Sequence, residues 1–81
     1  MTINAHNTHV NQITLLDDGN FASCSDDKTI KIWKIENEKY TEVQTLIGHE
    51  DKIFKILQMN KELLITGSES LIKFWKKEND N

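Results

Sequence analysis

The sequence has no proline and no arginine, one cysteine and three glycines among its 81 residues. With Cys24 alone, no disulfide forms within the chain, and a lone thiol fits a reducing, intracellular setting, cytoplasmic or nuclear. All ten cationic residues are lysine, so the planar, bidentate grip that arginine offers to phosphate or carboxylate is missing. No apolar run approaches the ~18 residues of a membrane span. The start, Met1-Thr2-Ile3-Asn4-Ala5-His6, is too polar for a secretory signal. The formal net charge is −3, with both signs interspersed, which leaves no basic field for nucleic acid.

What is present is a repeat. Placing His6 on His49, a shift of 43 residues, puts Ile13 on Ile56 and Phe21-Ala22-Ser23-Cys24-Ser25 on Leu64-Ile65-Thr66-Gly67-Ser68. One residue is then missing from the second copy, after which Asp27 meets Glu69, and Ile30-Lys31-Ile32-Trp33-Lys34 meets Ile72-Lys73-Phe74-Trp75-Lys76. Backwards, Thr2-Ile3-Asn4-Ala5-His6 meets Thr45-Leu46-Ile47-Gly48-His49. Such internal periodicity is the signature of stacked structural units.

Each copy reads as strands. Val10–Leu16 is a short apolar-rich run, Asp17-Asp18-Gly19-Asn20 a turn centred on Asp-Gly, and Phe21–Ser25 a second strand. Thr29–Lys34 alternates, with Ile30 and Ile32 on one face and Thr29, Lys31 and Trp33 on the other. Glu36-Asn37-Glu38-Lys39 is a polar connection into a fourth strand, Tyr40–Leu46, rich in aromatic and β-branched residues. The second copy repeats three of these at Ile53–Gln58, Glu62–Thr66 and Leu71–Lys76, and Thr2–Asn4 reads as a stub of one more.

The period, the Gly48-His49 start, and the run from Ala22 to Trp33 resemble the WD40 repeat, over roughly residues 2 to 77. Both copies read Trp-Lys where the family name expects Trp-Asp, and the first carries Ala5-His6 in place of Gly-His. The resemblance implies an all-β fold: two antiparallel four-stranded blades, the second lacking its outer strand, forming part of a β-propeller. The expected divisions are a stub at 1–5, a first repeat at 6–48, an incomplete second repeat at 49–77 and a polar tail at 78–81. It also implies a buried hydrogen-bonded chain in each blade, built by Trp33, Ser23, His6 and Asp27, and by Trp75, Thr66, His49 and Glu69. The chemistry is coherent. Indole only donates, a hydroxyl accepts from it and donates to imidazole, and the other imidazole nitrogen donates to a carboxylate. Glu69 is one methylene longer than Asp27 and sits beside the deletion, so its place in the second chain is open.

Two sharper readings of the same residues carry less. Ser23, His6 and Asp27 are the residue types of a hydrolase triad. The trio recurs as Thr66, His49 and Glu69, however, and no Gly-x-Ser-x-Gly elbow accompanies it. His6 and His9 with Cys24 fall short of the close spacing of roughly three or four ligands that zinc needs, so neither metal nor cofactor is expected. Cys24 aligns with Gly67 and reads as a small packed residue.

By the resemblance, the function is that of a non-catalytic platform for protein partners. The expected partner-facing loops hold Asn7 and His9, Asp26 and Lys28, and Asp51 and Lys52. An RNA- or histone-tail-recognising propeller piece is the alternative, and the net charge argues against the nucleic acid. Propellers use about four to eight blades, so two repeats imply a piece of a larger ring, a head-to-tail homo-oligomer, or a degenerate remnant.

Overall fold

The computed structural model describes residues 1–77, and the expected polar tail at 78–81 lies outside them. Seven strands follow one another: β1 (Val10–Leu15), β2 (Phe21–Ser25), β3 (Thr29–Glu36), β4 (Lys39–Ile47), β5 (Ile53–Asn60), β6 (Leu63–Ser68) and β7 (Ile72–Lys76). They form two antiparallel meanders, β1-β2-β3-β4 (sheet 1) and β5-β6-β7 (sheet 2). Among the described residues there is no helix. The expected strands are all found, with ends shifted by a residue or two. Thr2–Asn4, expected as a strand stub, is not one. A strand exists only by pairing, and no sheet edge among the described residues takes this segment.

The turns follow from local chemistry. Gly19 has φ +91° in the β1–β2 turn, where Asp18 Oδ1 accepts from Asn20 N at 2.9 Å. The β3–β4 hairpin turns on Asn37 (φ 54°) and Glu38 (φ 63°), the two positive φ values of a type I′ turn, whose twist matches that of the flanking strands.

Register assigns the faces, because side chains in a strand alternate between the two sides. In sheet 1 the rows Gln12–Cys24–Ile30–Leu46 and Thr14–Ala22–Ile32–Gln44 share one face. The rows Ile13–Ser23–Lys31–Thr45 and Leu15–Phe21–Trp33–Glu42 share the other. In sheet 2 the rows Ile56–Thr66–Lys73 and Gln58–Leu64–Trp75 oppose Lys55–Gly67–Ile72 and Leu57–Ile65–Phe74. The core forms where the first-named faces meet. Ala22, Cys24, Ile30 and Ile32 of sheet 1 pack with Ile53 and Ile56 of sheet 2, and Leu16, Leu46, Leu64 and Trp75 border them. Ile30 and Ile53 are wholly buried, and each contributes on the order of 2–3 kcal/mol of apolar transfer free energy.

Side-chain hydrogen bonds fix how the two sheets sit. Gln12 Oε1 accepts from Ile56 N at 2.8 Å, and Asn11 Nδ2 donates to Ile53 O at 2.9 Å. At the other end of β1, Gln58 Oε1 accepts from Asp17 N at 2.9 Å, and Gln58 Nε2 donates to Asp17 Oδ1 at 3.2 Å. Below these bonds, a cleft of about 470 Å³ opens between the sheets, with Leu16, Ile32, Leu46, Leu64 and Trp75 in its walls.

Candidate functional site

Two polar chains run through the apolar sheets. In the first, Trp33 Nε1 donates to Ser23 Oγ at 3.0 Å. His6 Nε2 lies 2.8 Å from the same oxygen, and His6 Nδ1 lies 2.8 Å from Asp27 Oδ2. An ionised carboxylate only accepts, so Nδ1 carries the proton, Nε2 accepts from the Ser23 hydroxyl, and Ser23 accepts from the indole. Each link then runs one way, from indole to hydroxyl to imidazole to carboxylate. Asp27 is itself held by the β2–β3 turn: Thr29 N and Thr29 Oγ1 both donate to Oδ1, at 2.9 and 2.6 Å. Burial works to raise the Asp27 pKa. The hydrogen bonds from Thr29 and His6 outweigh it and hold the carboxyl below its ordinary value.

The strands explain why these residues meet. Ser23 and Trp33 lie in adjacent rows on the outer face of sheet 1, and His6 reaches them from the segment before β1. Trp33 is walled by Phe21, stacked with ring centroids 6.5 Å apart, and by Tyr40, edge-on at 5.8 Å. Ser23 is 1% exposed and the His6 side chain 0%.

The second chain is shorter. Trp75 Nε1 donates to Thr66 Oγ1 at 2.8 Å, and His49 Nε2 lies 2.7 Å from that oxygen. There it stops. His49 Nδ1 is buried with no hydrogen-bond partner among the described residues, and Glu69 is exposed. Glu69 therefore does not occupy the place that Asp27 fills. The missing residue after Ser68 shortens the turn that would carry the carboxylate, and Ser68 Oγ caps Leu71 N at 3.3 Å instead. Burial, and then the Lys73 charge, push the His49 pKa below its ordinary value. Gly48 is needed here, since a Cβ on it would stand 2.8 Å from Trp75 Cη2.

Of the expected partner-facing residues, the structure gathers three. Asp26 Oδ2 accepts from His9 Nδ1 at 3.2 Å and lies 4.0 Å from Lys52 Nζ. Asn7, Lys28 and Asp51 are exposed, and Asp51 Oδ1 accepts from Lys52 N at 2.8 Å. Asn11, which the sequence did not single out, is the hub: its Nδ2 donates to Asp26 Oδ1 at 2.7 Å while also holding Ile53 O. The hydrogen bond from Asn11, chiefly, and the Lys52 charge keep the Asp26 carboxyl below its ordinary value. The only available signal was an amide at the bulge of an apolar strand, where the second copy has Phe54. Cys24 is buried in the core, and that burial raises its thiol pKa to about 11.

The model of the WD domain, G-beta repeat, matches residues 1–34 and 40–76. The chain belongs to the WD40 family. Its two sheets are WD40 blades, the first with four strands and the second with three. Among its relatives, protein transport protein SEC13-1 of Candida glabrata is 43% identical over 65% of this chain and 18% of its own length. DDB1- and CUL4-associated factor 13 of Dictyostelium discoideum is 32% identical over 93% of this chain and 18% of its own length. Human DDB1- and CUL4-associated factor 10 is 40% identical over 88% of this chain and 13% of its own length. The chain thus spans less than a fifth of each of these relatives. WD40 blades of this kind form protein-interaction modules, the coarse function that the family supports.

Proposed function

We propose that this WD40 chain is a non-catalytic scaffold that docks protein partners, with blade 1 at residues 6–48 and blade 2 at 49–77. The observation that carries the reading is the state of the two outer sheet faces. Ile13 and Leu15 on blade 1 are 63% and 75% exposed, and Leu57, Ile72 and Phe74 on blade 2 are 60%, 70% and 60% exposed. Exposed apolar surface of this kind marks an interaction site, and on blade 1 it stands on a frame stiffened by a satisfied polar chain. The names of the relatives, a transport protein and factors associated with DDB1 and CUL4, describe proteins that work with other proteins. An intracellular setting fits the lone reduced cysteine.

Physical reasons count against the other uses. Ser23 has hydrolase-like neighbours, but it is buried and its oxygen already accepts from Trp33. A nucleophile must reach a substrate carbonyl and needs oxyanion donors beside it. For RNA, Lys52 lies 4.0 Å from Asp26, which offsets its positive charge, where phosphate requires a gathered positive field.

A photo-crosslinking amino acid at Phe74, with a second at Asp51, tests the reading. Adducts to a protein of defined mass, lost when Ile72→Lys is added, are expected at Phe74. Adducts to RNA, or none at either position, would overturn it.

A further inference from the structure

The polar chain of blade 2 ends in an unpaired donor. Trp75 Nε1 donates to Thr66 Oγ1 at 2.8 Å, and His49 Nε2 is 2.7 Å from that oxygen. Thr66 is wholly buried, and among the described residues its hydroxyl hydrogen has no acceptor but His49 Nε2. A neutral imidazole that accepts at Nε2 donates at Nδ1. That Nδ1–H is buried and unpaired among the described residues, in a residue 5% exposed. A buried donor without a partner is costly, and an acceptor brought to it recovers that cost.

The turn explains why the chain's own residues do not supply the acceptor. In blade 1, Asp26, Asp27 and Lys28 join β2 to β3, and Thr29 N and Thr29 Oγ1 steady the Asp27 carboxylate. In blade 2, Ser68 N donates to Leu71 O at 2.9 Å and closes a tighter loop of Glu69 and Ser70. Leu71 stands where Thr29 does and has no side-chain donor, and Glu69 is exposed.

The surroundings favour an anion. Lys73 pairs with Thr66 across β6 and β7 and shares its sheet face. Burial first, and then the Lys73 charge, keep the imidazole neutral and its Nδ1 a plain N–H donor. In blade 1 the equivalent nitrogen of His6 holds a carboxylate at 2.8 Å.

We propose that His49 Nδ1–H and Lys73 form a binding site for a carboxylate from outside the chain, which takes in blade 2 the part that Asp27 plays in blade 1. The site lies at the loop end of the blade, beside the exposed residues Glu69 and Ser70. With one N–H and one ammonium it suits the slim carboxylate of an acidic side chain or of a small organic acid. A phosphate, with three strong acceptor oxygens to satisfy, finds too few donors there. Binding completes the second polar chain from the loop end to Trp75. This goes beyond the scaffold reading and stands without it.

The test titrates the full-length chain, its histidine rings isotopically labelled, with sodium acetate at neutral pH, sodium chloride holding the ionic strength constant. Acetate is expected to move the His49 Nδ1–H resonance downfield to saturation and to slow its exchange with water. His6, already held by Asp27, is expected not to move, and sodium phosphate to have no such effect on His49. Lys73→Gln is expected to weaken acetate binding roughly two- to fivefold, the range of one part-exposed ion pair. The comparison of His49 with His6 carries the test alone should that variant lose its β-sheet circular dichroism. N-acetyl-aspartate N-methylamide separates the two sources: tighter binding than acetate assigns the site to a protein side chain, and equal or weaker binding to a small organic acid. No response to either acid overturns the proposal, as does an equal response at His6 or an unchanged midpoint in folded Lys73→Gln. A His49 Nδ1–H protected without any added acid, and exposed to exchange in Glu69→Gln, would also overturn it, because Glu69 would then be the acceptor.

Discussion

His6 Nδ1 is 2.8 Å from Asp27 Oδ2, and the equivalent atom of His49 has no partner among the described residues. Two blades of one chain thus carry the same motif at two levels of completion. Asp27→Ala leaves the His6 Nδ1–H without its acceptor in a side chain of no solvent exposure, and orphaning a buried donor costs about 1–3 kcal/mol. Glu69→Ala touches no hydrogen bond among the described residues, and a surface change of that kind stays within about 0.5 kcal/mol. Urea unfolding of the two variants checks the contrast, and equal losses would refute it.

Acid acts on the two chains in sequence. The His49 pKa is lowered from 6.5 by burial and Lys73, so the unfolded chain takes up that proton first. The stability that neutral His49 contributes is complete above about 6.5 and is lost as pH falls from there toward the lowered folded value. Asp27, lowered from 3.8, contributes stability that is present above 3.8 and is lost as pH falls through its folded value. Urea midpoints against pH, with imidazole NMR to assign the first step, are expected to fall in two stages. A rise in stability as pH drops below 6.5 would be inconsistent with a buried, neutral His49.

Much of this was legible in the residues. The colinear repeat located the strands, and the resemblance to WD40 repeats supplied the two polar chains, whose donor and acceptor roles are chemically coherent. Alternation placed Ile30 and Ile32 on one face, and the structure shows that face to be the core face. Two features stayed hidden. Whether Glu69 reaches His49 depends on the path of a turn one residue shorter, which residue types do not specify. Asn11 acts through a bulge and a neighbouring backbone carbonyl, and a backbone partner leaves no mark in a sequence. The expected stub strand at Thr2–Asn4 failed for a third reason: a strand exists only by pairing, and no sheet edge among the described residues takes it.

Cys24 reports on the contact between the blades. Its side chain is wholly buried between the two sheets, and its thiol pKa stands at about 11, so the reactive thiolate is scarce and shielded. Labelling by a disulfide reagent under native conditions is expected to follow the opening of the sheets and to accelerate in variants that loosen them, such as Gln12→Ala. Immediate labelling at neutral pH would mean that the two blades do not pack as described.

The β3–β4 hairpin holds Glu38 at φ 63°, a conformation costing a non-glycine residue roughly 1–2 kcal/mol. Glu38→Gly creates the Asn-Gly pair preferred in this turn and gives up about 0.5–1 kcal/mol of unfolded-chain entropy. A net gain of up to about 1 kcal/mol is expected in thermal or urea unfolding, and a loss would show that the turn is not of this type.

The claim on which the scaffold account rests is that Ser23, His6 and Asp27 hold a blade together and do not carry out a reaction. Ser23→Ala, measured by urea unfolding alongside treatment of the unsubstituted chain with a fluorophosphonate probe, tests it most directly. Trp33 Nε1 and the imidazole would each lose their hydroxyl partner, so the account predicts a loss of at least about 2 kcal/mol and no labelling of Ser23. Labelling of Ser23, with stability unchanged in the alanine variant, would contradict it.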